Sequence, residues 1–338
     1  MQLQQRINAF QKLGTFLAEL SLANSPHSEI LQTAQDHNRW FTLDNIRFAL
    51  HSWSEALSQE NIEKWLSPYP FSEKEPKLVA IIMAGNIPLV GFHDFISVLI
   101  SGNKVLGKLS SNDKILLPFL TQKLIEIEPR FKDSIQFSDK ILENFDAVIA
   151  TGSNNTSLYF EHYFGKYPNI IRKNRNSVAV LSGEESPAQL EALSKDIFTY
   201  FGLGCRNVSK LYLPKEYDFK PFFNAMYTQK DIIHNDKYMN NYDYNKAVYL
   251  MGGVNLLDNE FMLLKEDTGF SSPISVVFYE YYNSLHEVEK YLAENTGKIQ
   301  CVVADSNVEN TIPFGKTQSP ELWDYADGID TLEFLLKL

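Results

Sequence analysis

The sequence predicts an α/β protein with two parallel-sheet subdomains behind a helical N-terminal segment. In residues 1–66, apolar side chains recur every three or four positions, which is typical of helices. From Leu78 onward, short apolar runs alternate with stretches of helical periodicity. A second series of such runs follows residue 208. Strands that alternate with helices form parallel sheets with helices on both faces.

Two groups of residues predict that the N-terminal segment is helical. The first helix is indicated by apolar residues at helical spacing, namely Phe10, Leu13, Phe16, Leu17 and Leu20. Further helices are indicated around four aromatic residues, namely Trp40, Phe48, Trp53 and Trp65. The segment from Ser67 to Pro76 contains three prolines, so it predicts a linker.

After the linker, apolar runs that end at polar turns predict the strands. In chain order they are 78–83, 104–108, 147–150, 178–181, 209–213, 247–251, 274–279 and 299–303. Helical periodicity predicts helices over 93–100, 114–127, 158–164, 187–200 and 285–294. The helix over 187–200 leads directly into a Phe-Gly-Leu-Gly-Cys sequence that ends at Cys205.

Charge and cysteine content narrow the class of protein. The 338 residues carry a formal charge of −11, which disfavours nucleic acid and anionic lipid surfaces as partners. Two cysteines cannot form a disulfide framework, and the N-terminus lacks the uninterrupted apolar core of a signal peptide. We therefore expect a cytoplasmic protein without membrane insertion. No clustered Cys and His ligands are present, so no metal site is expected.

Cys205 is the candidate nucleophile. It follows Gly204 at the end of a predicted helix, where backbone amides can stabilise an anion. A lone cysteine is also commonly a small buried apolar residue, and this reading suits Cys301 within its predicted strand. A cysteine–histidine pair is a rival arrangement, for which His93 is the best-placed histidine.

Polar turns at three predicted strand ends suggest a ligand site. They are Ala84-Gly85-Asn86-Ile87-Pro88, Lys108-Leu109-Ser110-Ser111 and Thr151-Gly152-Ser153. Open parallel sheets bind ligands at the carboxyl ends of their strands. Such turns also occur at any strand-to-helix junction. No G-x-G-x-x-G fingerprint is present, so the standard dinucleotide turn is not supported.

These motifs together resemble the aldehyde dehydrogenase superfamily, and most closely its LuxC-like acyl-CoA reductase branch. The resemblance runs from about residue 78 to 335 and includes Gly204-Cys205 and Pro313-Phe314-Gly315 in the family's order. It implies an aldehyde-dehydrogenase-like fold. It divides the chain into a helical segment (1–66), a nucleotide-binding domain (67–182), a catalytic domain (183–310) and a return to the nucleotide-binding domain (311–338).

The resemblance also implies a role for each matching residue. The Asn86 side chain and the backbone amide of Cys205 would form the oxyanion hole for acyl transfer to the Cys205 thiolate. The implied cofactor-binding residues are Pro88, Lys108, Ser110, Thr151, Gly152, Ser153 and Glu266. Lys108 would contact the adenosine ribose. Glu266 matches the family's nicotinamide-ribose glutamate loosely.

One departure from the family pattern separates reduction from oxidation. Oxidative members use a glutamate to activate water, but no carboxylate lies between Glu161 and Glu184. Without that base, attack of water on the acyl enzyme is slowed, and exchange with another thiol or hydride delivery is favoured over hydrolysis. The cations Arg172, Lys173 and Arg175 in this region suit either cofactor phosphates or a solvated turn.

The expected activity is therefore NAD(P)H-dependent reduction of an acyl thioester to an aldehyde, through an acyl group on Cys205. NADPH is favoured over NADH because Ser111 stands where the family has a carboxylate that would repel a 2′-phosphate. Expected partners are acyl-CoA or an acyl-carrier-protein thioester, as in fatty acid metabolism, and a further copy of the chain in a homo-oligomer. The alternatives are a cysteine acyltransferase or thioesterase without reduction, and a non-catalytic binding protein of the same fold.

Overall fold

The computed structural model describes residues 1–305, 308 and 310–338. The chain divides into two compact units. The first contains 1–173 and 321–338, and the second contains 174–320. No helix in the described part of the chain is long and apolar enough to cross a membrane.

The first unit begins with four helices, as the apolar periodicity predicts. They are α1 (Leu3–Ser21), α2 (Ser28–His37), α3 (Leu43–Ala56) and α4 (Gln59–Leu66). Helix α1 buries Phe10, Leu13 and Leu17 completely, and it packs mainly against α3. The side chains of Thr42 and Ser58 cap the N-termini of α3 and α4. The proline-containing segment 67–77 has no regular structure, in agreement with the predicted linker.

A five-stranded parallel sheet forms the rest of the first unit. Its strands are β1 (Leu78–Ile82), β2 (Lys104–Lys108), β3 (Ile135–Phe137), β4 (Ala147–Thr151) and β5 (Asn169–Arg172), in the order β3-β2-β1-β4-β5. Its helices are α5 (Phe92–Ile100), α6 (Leu116–Ile127), α7 (Asn154–Phe164) and the C-terminal α12 (Thr331–Leu336). All four strand pairs are parallel. The strand order reverses between β1 and β4, which is where open parallel sheets bind ligands.

The second unit is built on a six-stranded sheet. Its strands are β6 (Asn176–Val180), β7 (Val208–Pro214), β8 (Leu256–Asp258), β9 (Leu263–Glu266), β10 (Val276–Tyr282) and β11 (Ile299–Val303), in the order β11-β6-β7-β10-β9-β8. Its helices are α8 (Pro187–Phe198), α9 (Phe219–Met226), α10 (Asp236–Met251) and α11 (Leu285–Glu294). Among the described strand pairs of this sheet, β8 and β9 are antiparallel and the others are parallel. The predicted α/β class with two largely parallel sheets is confirmed.

Several predicted elements differ from the structure. The run 247–251 is the last part of α10 and not a strand. Its apolar residues continue a helix that Asn235 caps, so the apolar run alone could not distinguish the two. The structure also contains elements that were not predicted: the short β3, β5, β8, β9, α9 and α12, and the 16-residue helix α10. The unit boundary at 173/174 differs from the predicted 182/183 because β6 pairs with β7 and β11. The boundary at 320/321 differs from the predicted 310/311, since Asp196 on α8 holds the backbone of Gly315 and Thr317.

Candidate active site

Cys205 lies in a tight loop between α8 and β7. Helix α8 ends at Phe198, and the chain then reverses through Tyr200, Phe201 and Gly202, with φ angles of 55°, 60° and 74°. Two consecutive non-glycine residues with positive φ are strained and persist only where their surroundings hold them. Both aromatic side chains are buried, so packing stabilises the reversal. The loop is thus set by the core beneath it.

Asn207 anchors this loop to the end of α8. Its side-chain Oδ1 accepts a hydrogen bond from the backbone N–H of Gly204 at 2.8 Å. Its Nδ2 donates to the backbone carbonyls of Asp196, Ile197 and Thr199 at 3.0, 3.3 and 2.8 Å. Asn207 is 2% exposed, so these bonds are shielded from water. One buried amide therefore fixes both sides of the Cys205 loop.

Ser177, at the second position of β6, connects the loop to the sheet. Its buried hydroxyl donates to the backbone carbonyl of Cys205 at 3.0 Å. The same Oγ lies 2.8 Å from Sγ of Cys301, within hydrogen-bonding distance. The two cysteines therefore share one buried hydroxyl as a neighbour.

The two thiols differ in accessibility. Cys205 is exposed, whereas Cys301 is buried within β11. The predicted strand position of Cys301 is confirmed. A thiol nucleophile must reach its substrate, so the exposed position of Cys205 suits attack on an acyl group.

A second buried group orders the segment that contains Pro313-Phe314-Gly315. The carboxylate of Asp196 on α8 accepts hydrogen bonds from the backbone N–H groups of Gly315 and Thr317 and from the Thr317 hydroxyl, at 2.6, 3.0 and 2.8 Å. Burial raises the pKa of Asp196, and these hydrogen bonds oppose that shift. Arg206, beside Cys205, donates to the Thr317 carbonyl at 2.6 Å. The Cys205 loop and the 313–317 segment are thus held by the same part of the second unit.

In the first unit, Asn86 lies in the turn that follows β1. Asn86 is exposed, and Pro88 is buried two residues later. Leu89 then adopts a φ of 59°, and its backbone N–H donates to the Asp113 carboxylate at 2.9 Å. Asp113 thus fixes the C-terminal end of the Asn86 turn.

Lys108 and Ser110 lie at the end of β2, beside this turn. Lys108 is the last residue of β2, and its Nζ donates to the Lys140 carbonyl at 3.2 Å. A Cβ atom on Gly85 would lie 2.5 Å from Oγ of Ser110. The turns after β1 and β2 therefore approach so closely that position 85 has no room for a side chain.

Thr151, Gly152 and Ser153 form the junction between β4 and α7. Thr151 ends β4, and Ser153 caps α7 by accepting from the Thr156 N–H at 3.2 Å. The Gly152 N–H donates to the Arg172 carbonyl of the neighbouring strand at 3.3 Å. Seven of the nine predicted site residues therefore lie at the carboxyl ends of β1, β2 and β4 in the first unit.

Glu266 and Cys205 are the two predicted site residues in the second unit. Glu266 is the exposed last residue of β9, paired in register with Tyr279 of β10. The adjacent Asp267 carboxylate is held by the Lys265 ammonium and accepts from the Gly269 N–H at 2.7 Å. Two ionic neighbours thus flank Glu266 in sequence, but its own carboxylate faces solvent.

His93 has a structural environment in α5. Its Nε2 lies 2.9 Å from the Leu322 carbonyl, and its ring packs against Trp53, Trp65 and Tyr325. Burial lowers the pKa of His93, so the ring is neutral near pH 7 and Nε2 is the donor to the carbonyl. This environment gives no support to a role for His93 as the base of a cysteine–histidine pair.

The solvated-turn interpretation of the cations near residue 173 is wrong for Arg172. This residue ends β5, and its guanidinium contacts the Asp94 carboxylate at 2.5 Å and the Thr331 hydroxyl at 2.8 Å. Lys173 pairs with Glu161 at 2.9 Å. Arg172 therefore joins α5, β5 and α12 inside the first unit, and its charge is already matched by a carboxylate.

Comparison with known protein families shows to which family the chain belongs. The family described as acyl-CoA reductase (LuxC) matches residues 57–226, which is half of the 338-residue chain. This chain belongs to the LuxC family. The matched region includes Asn86, the β2 and β4 turns and Cys205, and it excludes Cys301. A comparison with curated proteins finds no match.

Solved structures place this LuxC-family chain in the aldehyde dehydrogenase fold. Aldehyde dehydrogenase 21 from Physcomitrella patens, solved with the product succinate, has a TM-score of 0.73 at 15% identity and covers 100% of this chain and 84% of its own. An indole-3-acetaldehyde dehydrogenase from P. syringae, solved with NAD⁺, has a TM-score of 0.67 at 13% identity. The match covers 92% of this chain and 74% of that dehydrogenase. Aldehyde dehydrogenase C from Pseudomonas syringae, solved with NAD⁺ and octanal, has a TM-score of 0.63 at 10% sequence identity. The match covers 89% of this chain and 71% of the dehydrogenase. The aldehyde-dehydrogenase-like fold is thereby confirmed.

Four residues that support the site of this LuxC-family member were not predicted. Asn207, Asp196, Ser177 and Asp113 are all buried polar residues. The role of Asn207 could have been predicted from the sequence, because an asparagine just before a strand commonly forms hydrogen bonds with nearby backbone groups. The other three act through residues distant in sequence, which no local pattern reports.

Proposed function

We propose that this LuxC-family acyl-CoA reductase forms an acyl enzyme on Cys205 and reduces it to an aldehyde with NADPH. The observation that carries the assignment to Cys205 is its exposure in a loop fixed by Asn207 and Ser177, while Cys301 is buried. The first unit would bind the cofactor, and the second would carry the nucleophile.

The proposed chemistry begins with the Cys205 thiolate. Its sulfur attacks the carbonyl carbon of the acyl thioester, and the carbon–sulfur bond to coenzyme A breaks. The leaving thiolate takes up a proton. The carbonyl oxygen carries negative charge in the tetrahedral intermediate, and the Asn86 side chain and the Cys205 amide would donate to it. The rigid loop supports this role because a fixed N–H donor needs no reorganisation during the reaction.

The residues at the β1, β2 and β4 strand ends fit a dinucleotide. They supply the Lys108 ammonium, the Ser110 hydroxyl and the first-turn N–H groups of α7, all suited to ribose and phosphate groups. They lie at the reversal of strand order, where open sheets bind nucleotides. A reduced nicotinamide bound there would supply a hydride to the acyl carbon. The bond from that carbon to Cys205 Sγ then breaks, which releases the aldehyde and restores the Cys205 thiolate.

Two sequence features support reduction with NADPH. The segment 162–183 has no carboxylate to activate water, so the acyl enzyme is protected from a general base in that region. Ser111 is exposed and uncharged, and it therefore leaves room for a 2′-phosphate.

Mass spectrometry of the intact protein after mixing with acyl-CoA tests the nucleophile. We expect one acyl adduct on the wild type and on Cys301→Ala, and none on Cys205→Ala. A label that persists in Cys205→Ala and disappears in Cys301→Ala would assign the nucleophile to Cys301 instead. Circular dichroism of each variant checks that the fold is retained.

Oxidation of NADPH and NADH in the presence of acyl-CoA substrates of increasing chain length tests the reduction. We expect substrate-dependent oxidation with aldehyde as product, and a lower KM for NADPH than for NADH. An acyl enzyme that forms but releases free acid or transfers its acyl group, without consuming either nucleotide, would instead show a thioesterase or acyltransferase.

A further inference from the structure

The loop of residues 110–113, which we call the 110–113 loop, connects three parts of the first unit. It follows β2 and precedes α6, and its first residue is the proposed cofactor contact Ser110. On one side it contacts the N-terminal helix α2. On the other side it contacts the turn that contains Asn86.

Helix α2 and the residue after it hold the backbone of this loop. The His37 Nε2 lies 2.8 Å from the Ser111 carbonyl, and Asn38 Nδ2 donates to the Asn112 carbonyl at 3.2 Å. Asn38 is 7% exposed, and its Oδ1 accepts from the Trp40 N–H at 3.1 Å, which fixes the orientation of the amide. Two consecutive residues of the helical segment thus hold two consecutive carbonyls of the 110–113 loop.

Asp113 transmits the position of the loop to the Asn86 turn. Its Oδ2 accepts from the Leu89 N–H at 2.9 Å. Leu89 has a positive φ, so its conformation depends on this surrounding support. The missing side chain at Gly85 lets Ser110 pack directly against the same turn. A shift of the loop must therefore move or loosen the Asn86 turn.

We propose that His37, Asn38 and Asp113 are positioning residues, through which the N-terminal helical segment sets both the cofactor contact at Ser110 and the oxyanion contact at Asn86. This inference rests on the proposed function for the roles of Ser110 and Asn86. It gives residues 1–66 a part in catalysis beyond packing. The helical segment holds the β2 end of the site, and Asp113 couples that end to the β1 end.

Binding of NADPH to Asn38 variants tests the α2 contact without requiring turnover. Asn38→Ala removes the donor to the loop, and Asn38→Asp removes it while keeping the acceptor for Trp40. Gln32→Ala is the matched control, because Gln32 is an exposed residue of the same helix and its side-chain amide donates to the exposed Asp36 at 3.0 Å. NADPH affinity is measured by fluorescence titration.

We expect both Asn38 variants to weaken NADPH binding about fivefold, the effect of one hydrogen bond on an equilibrium, while Gln32→Ala binds as the wild type does. Equal affinity in the wild type and Asn38→Asp overturns the α2 part of the proposal. The same follows if Gln32→Ala is weakened as much as the Asn38 variants. If one Asn38 variant fails to fold, the other gives the decisive measurement.

The rate at which Cys205 is acylated, measured without nucleotide, tests Asp113. Asp113→Ala removes the acceptor for Leu89, so we expect acylation at least tenfold slower. Asp113→Asn retains the shape of the side chain and an acceptor oxygen and should restore most of the rate. Asp113→Leu fills similar space without an acceptor and should stay slow, whereas a mere loss of packing would let it recover. Equal rates for the Ala and Asn variants overturn the coupling. A wild type that binds NADPH but forms no acyl enzyme refutes the proposed function, while the Asn38 titrations still decide the α2 contact.

Discussion

Replacing Asp113 by asparagine should make the first unit more stable at neutral pH and less sensitive to pH. Asp113 is 8% exposed, and its Oδ1 has no hydrogen-bond partner among the described residues. Burial raises the pKa of Asp113 from 3.8 to about 6, against the opposing effects of the Leu89 and Leu116 N–H groups and of His37. The folded protein thus binds this proton more tightly than the unfolded chain does.

The direction and size of the expected change in stability follow from this difference in proton affinity. A carboxyl whose pKa is raised on folding stabilises the protein fully below its unfolded pKa, and the contribution is lost as pH rises through the folded pKa. A shift of about two pKa units corresponds to about 3 kcal/mol in total. Roughly half of this, about 1.4 kcal/mol, is lost between pH 5 and pH 8. Asparagine does not titrate, so Asp113→Asn should lack this loss.

Tryptophan fluorescence reports on the unit that contains Asp113. The four tryptophans, at positions 40, 53, 65 and 323, all lie in the first unit. Urea unfolding followed by this signal therefore measures the stability of that unit. We expect the difference in free energy of unfolding between Asp113→Asn and the wild type to grow by about 1.4 kcal/mol from pH 5 to pH 8.

An exposed carboxylate of the same unit provides the control. Asp133→Asn removes one negative charge at the surface, so its effect on stability should be small at both pH values. If the Asp113→Asn difference is constant across this range, burial does not shift the titration of Asp113 and the reasoning is refuted. If the difference in free energy of unfolding between Asp113→Asn and the wild type becomes smaller as pH rises, the predicted direction of the pH dependence is wrong.

Three further substitutions test the rest of the site. Asp94→Ala leaves the buried Arg172 guanidinium without its carboxylate, so we expect the first unit to lose about 3–5 kcal/mol in urea unfolding, and an unchanged midpoint would contradict this. Asn207→Ala removes a donor shared by three carbonyls, and acylation by acyl-CoA should slow at least tenfold in rapid-quench measurements; a wild-type rate would show that the loop does not depend on this amide. Gly85→Ala places a Cβ 2.5 Å from the Ser110 Oγ, so NADPH should bind more weakly in fluorescence titrations, and unaltered affinity would show that the two turns can separate freely.

Local patterns predicted most of the secondary structure. The strands at 104–108 and 299–303 and the helix at 285–294 have the predicted bounds, because side-chain periodicity and polar turns are written directly into neighbouring residues. The same local information failed for 247–251, since an apolar run of this length fits the end of a helix as well as a strand. It also missed three- and four-residue strands such as Asn169–Arg172, whose identity comes from pairing with β4.

The sequence by itself determined the α/β class, the three polar strand ends and Cys205 as the candidate nucleophile, because each depends on residues adjacent in the chain. Only the tertiary structure showed that Arg172 is buried against Asp94. The contact between His37 and Ser111, 74 positions apart in sequence, and the contact between Ser177 and Cys301, 124 positions apart, are likewise visible only in the tertiary structure. Such contacts arise when packing brings distant segments together, and a buried polar residue in one sequence does not reveal which distant partner it meets.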